Sequence, residues 1–430
     1  MKSVLALIHG GKSFVHQIVT ACRELDMPLS IASSAINDQA KIDEIASLST
    51  AVYVGSAFDL STAELKVLIE AQKLIGNEII AVISVWENYR PIMSELNLWL
   101  GCPDLTPAQV AALRDKFNMR QTLRNGNLSH VNSQLLTKEL FDQLKQSDKP
   151  SFVKPRQGIA SFGAFTLNDE IQWSDVTELV ASIQEDATYS SSFTKDVDLI
   201  VEDFIGGTEY CLEMIVYQGH AYVVVVHEKV EIESISRLTT LENVSATPPV
   251  SLNSQQVQEL SYWVKDVFRL FDIEYGCFHV EAKLDTTGWE IIEINPRVGG
   301  AYINESVEHV TDYSLLNLWL RILTATNDSA GSITALLRQL EVTNGPRDKG
   351  SFFRVFYAEP GRTIRSLDFR NVLTHIHSKV LMTPGTHIPN SDRELYVAQG
   401  LWPWSGDIEN PAELFASVSA SAEELEVVYE

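Results

Sequence analysis

The feature that most constrains the fold is a pair of strand-like segments, residues 277–284 and 289–295, joined by a short turn. The turn, Asp285-Thr-Thr-Gly288, has the composition of a hairpin connection, so the two segments are predicted to pair antiparallel. Residues 210–229 form another long β-type run. The sequence therefore predicts an antiparallel sheet that contains this hairpin.

The hairpin concentrates acidic side chains on one face. Residues two apart in a strand share a face, so Glu293 and Asn295 project together. Ile292 and Ile294 are expected on the opposite, apolar face. Pairing the strands back from the turn puts Glu281 within about one position of Glu293. Proteins hold Mg²⁺ with such oxygen atoms, and a cation would relieve the repulsion between the two acids, so the pattern predicts a magnesium site.

An Arg-x-Gly-Gly sequence follows the hairpin directly. Arg297 can bind a phosphoryl or carboxylate group through two parallel hydrogen bonds. Gly299 and Gly300 carry no side chain, so they allow a ligand to approach the backbone closely. Together with the shared acidic face, this sequence favours a binding site over an exposed hairpin with scattered acids.

The first hundred residues alternate between strand-like and helix-like patterns. A helix is predicted over residues 61–75, between short β-type runs. Strands separated by helices of this length indicate a parallel, doubly wound sheet. The predicted strands cover residues 4–8, 29–31, 51–54 and 79–83.

Two helices are predicted beyond this region. Thr106 is the expected N-cap of the first, with Pro107 at its first position and Gln109 completing a capping box. That helical stretch continues towards Arg124. Residues 314–324 have the pattern of an amphipathic helix.

The net charge of −24 and the pI of about 4.8 exclude some partner classes. A surface this acidic repels nucleic-acid phosphates and anionic lipid, so neither nucleic acid nor a membrane is the expected partner. No stretch approaches the roughly 18 apolar residues that a membrane span needs. Four widely scattered cysteines predict reduced thiols in a cytoplasmic protein, with neither a zinc site nor disulfides.

Residues 6–13, Ala-Leu-Ile-His-Gly-Gly-Lys-Ser, fit a loose phosphate-loop pattern with alanine in place of the first glycine. A working phosphate loop wraps several backbone N–H groups around the phosphates. Here the first three residues continue the strand, and the remaining three loop residues reach at most about 10 Å. We interpret the segment as an ordinary strand-to-helix turn.

In these features the chain resembles the ATP-grasp superfamily, in particular its carboxylate–amine ligase branch, and it is similar to bacterial L-amino-acid (dipeptide) ligases. The resemblance implies a multidomain α/β and α+β fold, with a doubly wound parallel sheet, a small lid and a larger antiparallel sheet. The implied units are an N-terminal domain (1–105), linker helices (106–149), a lid subdomain (150–205), a catalytic subdomain (206–330) and a C-terminal α+β region (331–430).

The resemblance also assigns roles to individual residues. Asp115-Lys116-Phe-Asn-Met119 is similar to the family's DKxxM helix start, and Phe152-Val-Lys154-Pro-Arg-Gln-Gly158 to the strand whose lysine contacts the α/β-phosphates. Residues 199–210 are similar to the hinge that holds adenine. The implied nucleotide-binding residues are Lys116, Lys154, Glu202, Phe204, Ile205 and Glu209. The implied metal ligands are Glu281, Glu293 and Asn295, the catalytic residues Arg297 and Gly300, and the substrate-binding residues Glu87 and Gly299.

The activity implied by the resemblance is formation of an amide from a small-molecule carboxylate and an amine. The reaction would pass through an acyl-phosphate, give ADP and phosphate, use ATP and two Mg²⁺ ions (or Mn²⁺), and belong to secondary-metabolite biosynthesis. Two alternatives stay open: an ATP-grasp enzyme with another acceptor, and a non-catalytic ATP-binding protein. A homodimer is the default oligomeric state. The residues expected to narrow the substrate pocket, favouring a small or extended amino acid, are Trp86, Tyr89, Phe204 and Tyr302. Structural roles are expected for His227, His279 and His309.

Overall fold

The computed structural model describes residues 1–11, 14–159, 161–186, 189–236, 239–345, 347–390 and 395–430, without the side chains of residues 232–242. The described chain contains a parallel sheet, a small antiparallel sheet, a large antiparallel sheet and a two-stranded sheet. This arrangement confirms the predicted fold class. Within the described part of the chain, no helix combines the length and apolarity that crossing a bilayer requires.

The N-terminal sheet is parallel, with strand order β3-β2-β1-β4, as the alternating pattern predicted. Residues 6–8 of the rejected phosphate-loop pattern belong to its first strand, while Lys12 and Ser13 lie outside the described residues. Ser61 caps the helix predicted at residues 61–75. The elements are β1 (Lys2–Ile8), α1 (Val15–Glu24), β2 (Leu29–Ser33), α2 (Gln39–Leu48), β3 (Ala51–Val54), α3 (Thr62–Leu74), β4 (Glu78–Ile83) and α4 (Arg90–Leu100).

The helical stretch after Thr106 consists of two helices. The capping box of Thr106 and Gln109 is present at the start of α5 (Pro107–Arg114). Asp115 then adopts an extended conformation, and its carboxylate accepts a hydrogen bond from the backbone N–H of Asn118 at 3.0 Å. This second cap starts α6 (Lys116–Asn125), so the predicted continuous helix is wrong at this point. The break places Lys116 at the first position of a helix.

The small antiparallel sheet lies largely in the segment predicted to form the lid and is called the lid sheet below. It has four strands in the order β5-β8-β6-β7. One of its strands comes from the segment 106–149, which was expected to hold only helices. The apolar side chains of Phe162, Phe165, Leu179 and Ile183 pack beneath the sheet. The elements are β5 (Ser133–Leu135), α7 (Lys138–Lys145), β6 (Ser151–Pro155), β7 (Phe165–Leu167), α8 (Trp173–Glu185) and β8 (Leu199–Asp203).

The large sheet has eight antiparallel strands in the order β13-β12-β9-β10-β11-β14-β17-β16. Its last three strands come from the C-terminal region, so the chain beyond residue 330 extends the same sheet. The sheet strands are β9 (Thr208–Tyr217), β10 (His220–Ser236), β11 (Thr239–Thr247), β12 (Tyr275–Asp285), β13 (Gly288–Asn295), β14 (Gly350–Tyr357), β16 (His377–Val380) and β17 (Tyr396–Trp404). The other elements are α9 (Ser254–Leu270), α10 (Ile303–Thr311), α11 (Leu315–Leu323), α12 (Ala330–Leu340), β15 (Ile364–Phe369), α13 (Ala412–Ser421), β18 (Leu425–Tyr429) and one-turn helices at Glu87–Tyr89, Ser190–Ser192 and Val342–Asn344.

Helix α11 is amphipathic, as predicted. Asn317 and Arg321 lie one turn apart, and the guanidinium of Arg321 donates to the side-chain oxygen of Asn317 at 2.7 Å. All residues of the helix except Arg321 are nevertheless buried. The helix contributes to one core that also contains β1 of the N-terminal sheet and Ile215 of the large sheet. This shared core joins the N-terminal domain to the large sheet.

The two faces of the large sheet have opposite character because its strands alternate. Leu212, Met214 and Val280 lie on one face, in a core that includes side chains of α9 such as Val264. The alternate residues on the same strands are charged or polar. This polar face carries the candidate site.

Candidate active site

A cleft lies between the lid sheet and the polar face of the large sheet. It contains about 1050 Å³ of empty space, part of it open to solvent. Ten of the thirteen residues predicted from the sequence line this cleft. They are Glu87, Lys116, Lys154, Glu202, Phe204, Ile205, Glu209, Glu281, Glu293 and Arg297. The other three, Asn295, Gly299 and Gly300, lie at its margin on the chain that leaves β13.

The two predicted metal carboxylates face each other across the hairpin. Glu281 of β12 pairs directly with Glu293 of β13, and Asp285 pairs with Gly288 at the turn. The amide of Asn295 donates a hydrogen bond to Glu293 at 2.7 Å. The three candidate ligands therefore form one continuous patch of side-chain oxygen atoms.

A β-bulge next to this patch corrects one expectation. The register of the hairpin shifts between Glu281, which pairs with Glu293, and Ala282, which pairs with Ile291. Ile292 lies between these two partners and has no partner in the ladder. Ile291 and Ile294 consequently enter the core, whereas Ile292 lines the cleft. The prediction that Ile292 faces the apolar side is wrong, because the bulge adds a residue that strict alternation does not contain.

Each of the two acids is paired with a lysine. The ammonium of Lys116 lies 2.9 Å from Glu293, and that of Lys229 lies 3.1 Å from Glu281. Burial would raise the pKa of Glu281, but Lys229 and the ring of His279 outweigh it and hold the pKa well below its usual range. Burial would lower the pKa of Lys116, but the carboxylates of Glu293 and Glu87 outweigh it and raise the pKa. Glu281 is therefore ionised, and its carboxylate is available to a cation.

The hinge strand β8 carries a buried charge cluster at the back of the cleft. The carboxylate of Glu202 accepts from Arg120 at 2.9 Å and lies 2.8 Å from the ammonium of Lys154. Burial would raise the pKa of Glu202, yet these two cations lower it to about 2. Burial, together with the positive charge of Arg120, lowers the pKa of Lys154 despite the nearby Glu202 carboxylate. The lysine also donates to the carbonyl of Ile292 at 3.1 Å.

The open end of the cleft is lined by the ring of Phe204 and by the neighbouring hinge residue Ile205. The side chain of Phe204 is 43% exposed, and the ammonium of Lys283 lies 5.5 Å from the centre of its ring. The same ammonium lies 3.4 Å from Glu209 and donates to the carbonyl of Ile205. Glu209 also pairs with Lys229. An exposed aromatic face suits a planar heterocycle, and the acid beside it suits hydroxyl groups.

The hinge makes Gly207 a testable position. Its φ is +84°, and a Cβ atom there would lie 2.0 Å from the carbonyl oxygen of Leu284. We expect Gly207→Ala to cost about 2–3 kcal/mol of stability, because both the backbone conformation and the clash oppose a side chain. Thermal unfolding would measure the loss. Gly206→Ala is the matched control, since a Cβ there meets nothing within 4 Å. Equal melting temperatures for the two variants would contradict the expectation.

Arg297 stands at the junction of the hairpin with the N-terminal domain. Its guanidinium donates to Glu87 at 2.9 Å and 3.2 Å, and Arg114 approaches the same carboxylate at 3.7 Å. Burial would raise the pKa of Glu87, but Arg297, Arg114 and Lys116 outweigh it and lower the pKa. The side chain of Asn88 donates to Ser191 of the lid at 2.8 Å. The three parts of the chain therefore meet at this point.

The two glycines after Arg297 have different surroundings. A Cβ atom on Gly299 would lie 2.8 Å from Nδ1 of His279, so this glycine is required for close packing inside the protein. A Cβ on Gly300 would meet nothing within 4 Å. Only Gly300 is therefore open to a ligand.

Several residues of the site were not identified from the sequence. Lys229, Lys283 and Arg120 contact the predicted acids, and Arg114 contacts Glu87. Lys283 shares the face of Glu281 by strict alternation, so its position was available from the sequence. The other three lie on elements whose proximity to the hairpin is not visible in the linear chain. Tyr302, expected near the substrate, instead stacks on His377 at 6.0 Å.

Comparison with known proteins agrees with this geometry. Residues 147–305 match the ATP-grasp domain family. A stretch of 118 residues is 26% identical to carnosine synthase 1 of Gallus gallus and covers 27% of this chain and 12% of that protein. A stretch of 124 residues is 28% identical to the Homo sapiens protein of the same name and covers 14% of it. The match thus spans only a small part of these curated relatives.

Solved structures extend the similarity to the whole chain. The L-amino acid ligase from Bacillus licheniformis has a TM-score of 0.75 at 16% identity, with 100% of this chain and 99% of that chain covered. The biotin carboxylase domain of Hydrogenobacter thermophilus 2-oxoglutarate carboxylase, solved with MgADP, has a TM-score of 0.68 at 13% identity, with 99% and 90% covered. At these identities the similarity establishes the fold.

Residues 147–305 form an ATP-grasp domain, as the residues of the hairpin and the hinge indicated. Over its full length the chain has the fold of the L-amino acid ligase from Bacillus licheniformis. The resemblance to the ATP-grasp superfamily stated from the sequence is therefore confirmed over residues 147–305.

Proposed function

We propose that this protein is an ATP- and magnesium-dependent ligase that joins a carboxylate to an amine. The observation that carries the proposal is the direct pairing of Glu281 with Glu293, with Lys116 and Arg297 beside them in one cleft. Opposed carboxylates next to cationic side chains suit a metal-bound phosphate group. The ATP-grasp fold and the similarity to carnosine synthase and L-amino acid ligase support the same reaction class.

Magnesium fits the chemistry of the donors. The carboxylates of Glu281 and Glu293 both line the cleft, and they would repel the phosphates of a nucleotide unless divalent cations lay between them. No cluster of three or more His, Cys, Asp and Glu side chains suited to a metal occurs in the described ranges, so phosphate oxygens and water would complete the coordination. We propose two Mg²⁺ ions, replaceable by Mn²⁺, held by Glu281, Glu293 and Asn295.

ATP would lie along the cleft from the hinge to the hairpin. We assign the base to the edge formed by Phe204 and Ile205, and the ribose hydroxyls to Glu209. The phosphates would reach Lys116 and Lys154. Lys116 is now paired with Glu293, and a bound metal would take over that carboxylate. Phosphate would then become the partner of Lys116, while Lys154 keeps Glu202, so each of these buried charges stays paired.

The chain itself needs no nucleophile for the proposed reaction. An oxygen of the substrate carboxylate attacks the γ-phosphorus of ATP, and ADP leaves. Arg297 donates to the oxygen atoms of the transferring group, while bound magnesium neutralises phosphate charge. The amine then attacks the carbonyl carbon of the acyl-phosphate, and inorganic phosphate leaves. Glu87 holds Arg297 in place and offers a carboxylate to an approaching ammonium group.

Exclusion of water is the second requirement, because an acyl-phosphate hydrolyses readily. The lid sheet covers the cleft, and Asn88 ties it to the N-terminal domain through Ser191. Trp86, next to Glu87, stacks on His9 at 4.8 Å and on Tyr189 of the lid at 6.2 Å. These rings lie beside Glu87, and we propose a small or extended amino acid, or a similar carboxylate, as the first substrate.

The test is to incubate the purified protein with ATP, Mg²⁺ and pooled amino acids, and to identify nucleotide and condensed products by mass spectrometry. ADP together with a new amide is the expected result and would name both substrates. ADP and phosphate without an amide, over a wide range of amines, would favour another acceptor. AMP as the product would overturn the acyl-phosphate mechanism, because adenylation breaks a different bond. We place the reaction in the cytoplasm, since all four cysteines are free thiols.

A further inference from the structure

A row of buried polar side chains runs from Glu281 into the interior of the large sheet. Nε2 of His279 lies 3.3 Å from Glu281, and Nδ1 of the same ring lies 2.8 Å from Glu213. His227 follows at 3.7 Å from Glu213, and its other ring nitrogen lies 2.7 Å from the hydroxyl of Ser306. The first three residues sit on the adjacent strands β12 and β9. No step of the proposed reaction uses the members of this row beyond Glu281.

The burial of Glu213 costs folding free energy. Its carboxylate is fully buried, with no exposed surface, and taking an ionised carboxylate out of water costs several kcal/mol. Burial would raise its pKa, but the rings of His279 and His227 outweigh it and lower the pKa. An apolar side chain would fill the same place in the sheet without this cost. The carboxylate therefore serves its neighbours.

The ring between the two acids has a fixed orientation. Because Nδ1 faces Glu213 and Nε2 faces Glu281, the ring of His279 cannot turn without losing both contacts. A carboxylate behind a histidine is a common means of fixing a group in a metal site. Here the histidine in turn holds Glu281, the residue opposite Glu293.

The Arg-x-Gly-Gly sequence belongs to the same arrangement. A side chain on Gly299 would press on His279 at 2.8 Å and on Ile303 at 2.9 Å. The missing side chain lets the backbone after Arg297 pass directly over the ring. Gly299 thus keeps His279 in position, whereas Gly300 makes no such contact.

We propose that His279, supported by Glu213, is a positioning residue that aims the carboxylate of Glu281 at the divalent cation. This inference rests on the proposed function, in which Glu281 is a metal ligand. Neither His279 nor Glu213 touches the metal or the nucleotide in this assignment. Their loss should weaken metal binding while leaving the nucleotide contacts of the hinge unchanged.

The experiment uses the full chain with Mn²⁺ as the probe and ADP present. Electron paramagnetic resonance reports free Mn²⁺, so a titration gives the dissociation constant. We expect His279→Gln to raise it by about 10–100-fold, the range found for such supporting residues, with Glu213→Gln acting in the same direction. ADP binding without divalent metal should stay within twofold of the original protein. His309→Gln, a change of the same kind on α10, should leave both constants unchanged.

The outcomes separate this inference from the proposed function. If Glu281→Gln abolishes Mn²⁺ binding while His279→Gln and Glu213→Gln bind it normally, the positioning role is overturned and the metal site stands. If the unaltered protein with ADP binds no Mn²⁺, the proposed function fails first. A lower melting temperature with normal Mn²⁺ affinity would mark a purely structural pair. Should His279→Gln fail to fold, Gly299→Ala displaces the same ring and gives the same test, with Gly331→Ala on α12 as its control, since a Cβ there meets nothing within 4 Å.

Discussion

Glu293→Gln should lower the rate of ATP-dependent amide formation by about 10³-fold. Glu293 faces Glu281 across the hairpin, and it is the partner of Lys116 at 2.9 Å. The amide keeps the shape of the side chain but removes the negative charge that would hold the cation. Bound magnesium supplies several kcal/mol of charge stabilisation in the transition state, and each 1.36 kcal/mol corresponds to a factor of ten in rate.

The measurement is the rate of product formation as a function of Mg²⁺ concentration. The curve for the variant should move to higher Mg²⁺ and reach a lower maximum. Glu274→Gln is the control, because Glu274 is an exposed acid just before β12 and carries the same change of charge. A variant that keeps more than a tenth of the original rate at the original Mg²⁺ requirement would remove Glu293 from the metal site.

The hairpin is the part of the site that the sequence predicted in detail. Its turn fixes the register, so local rules placed Glu281 within about one position of Glu293. Strict register from the turn would pair Glu281 with Ile292, and the bulge makes the pairing with Glu293 direct. The same rules failed at Ile292. A bulge depends on how the hairpin bends against its neighbours, and nothing in the alternation of residues 289–295 announces it.

The cationic partners of the acids were less accessible. Arg120 lies 82 positions from Glu202 and 170 from Glu290, the two carboxylates that it contacts. Lys229 looked like one charged residue in a long strand, and only the order of strands in the large sheet brings it to Glu281. Such contacts come from packing between distant segments. The periodic pattern of a single segment carries no information about them.

The C-terminal extension of the large sheet could not be predicted for the same reason. The sequence predicted a C-terminal α+β region, but it did not show which strand that region pairs with. Strand β14 pairs with β11, so the C-terminal region continues the sheet. Helix α11 has the polar stripe that its sequence predicted, with Asn317 and Arg321 one turn apart. Its burial was not visible, because the N-terminal domain that covers it is distant in the sequence.

Arg120→Met should destabilise the protein by about 3–5 kcal/mol, the usual cost of removing one partner from a buried charge pair. The guanidinium is fully buried and holds three elements together. It donates to Glu202 of the hinge at 2.9 Å, to Glu290 of β13 at 3.2 Å and to the carbonyl of Ile291 at 2.5 Å. Methionine fills the space but leaves these acceptors without their donor. The melting temperature of the affected domain should fall by about 6–20 °C.

The acid dependence of stability identifies the cause. Lys154 and Arg120 outweigh burial and hold the pKa of Glu202 at about 2, below the ordinary value of 4.5. The stability gained from this shift is present above pH 4.5 and is lost as the pH falls through about 2. Without Arg120 the pKa of Glu202 in the folded protein lies closer to 4.5. Ionised Glu202 therefore contributes less stability to the variant at neutral pH, and this smaller contribution is lost at a higher pH. The acid-unfolding midpoint of the variant should therefore rise.

Two further variants decide between this mechanism and a simple packing defect. Arg124→Met makes the same substitution one turn later on α6 and should change the melting temperature little. Adding Glu290→Gln to Arg120→Met removes the charge of a buried carboxylate that has lost its guanidinium partner, and should recover part of the lost stability. If the double variant is less stable than Arg120→Met, the loss comes from packing. The contacts of Arg120 with strands β8 and β13 would then stabilise the protein through packing rather than through charge.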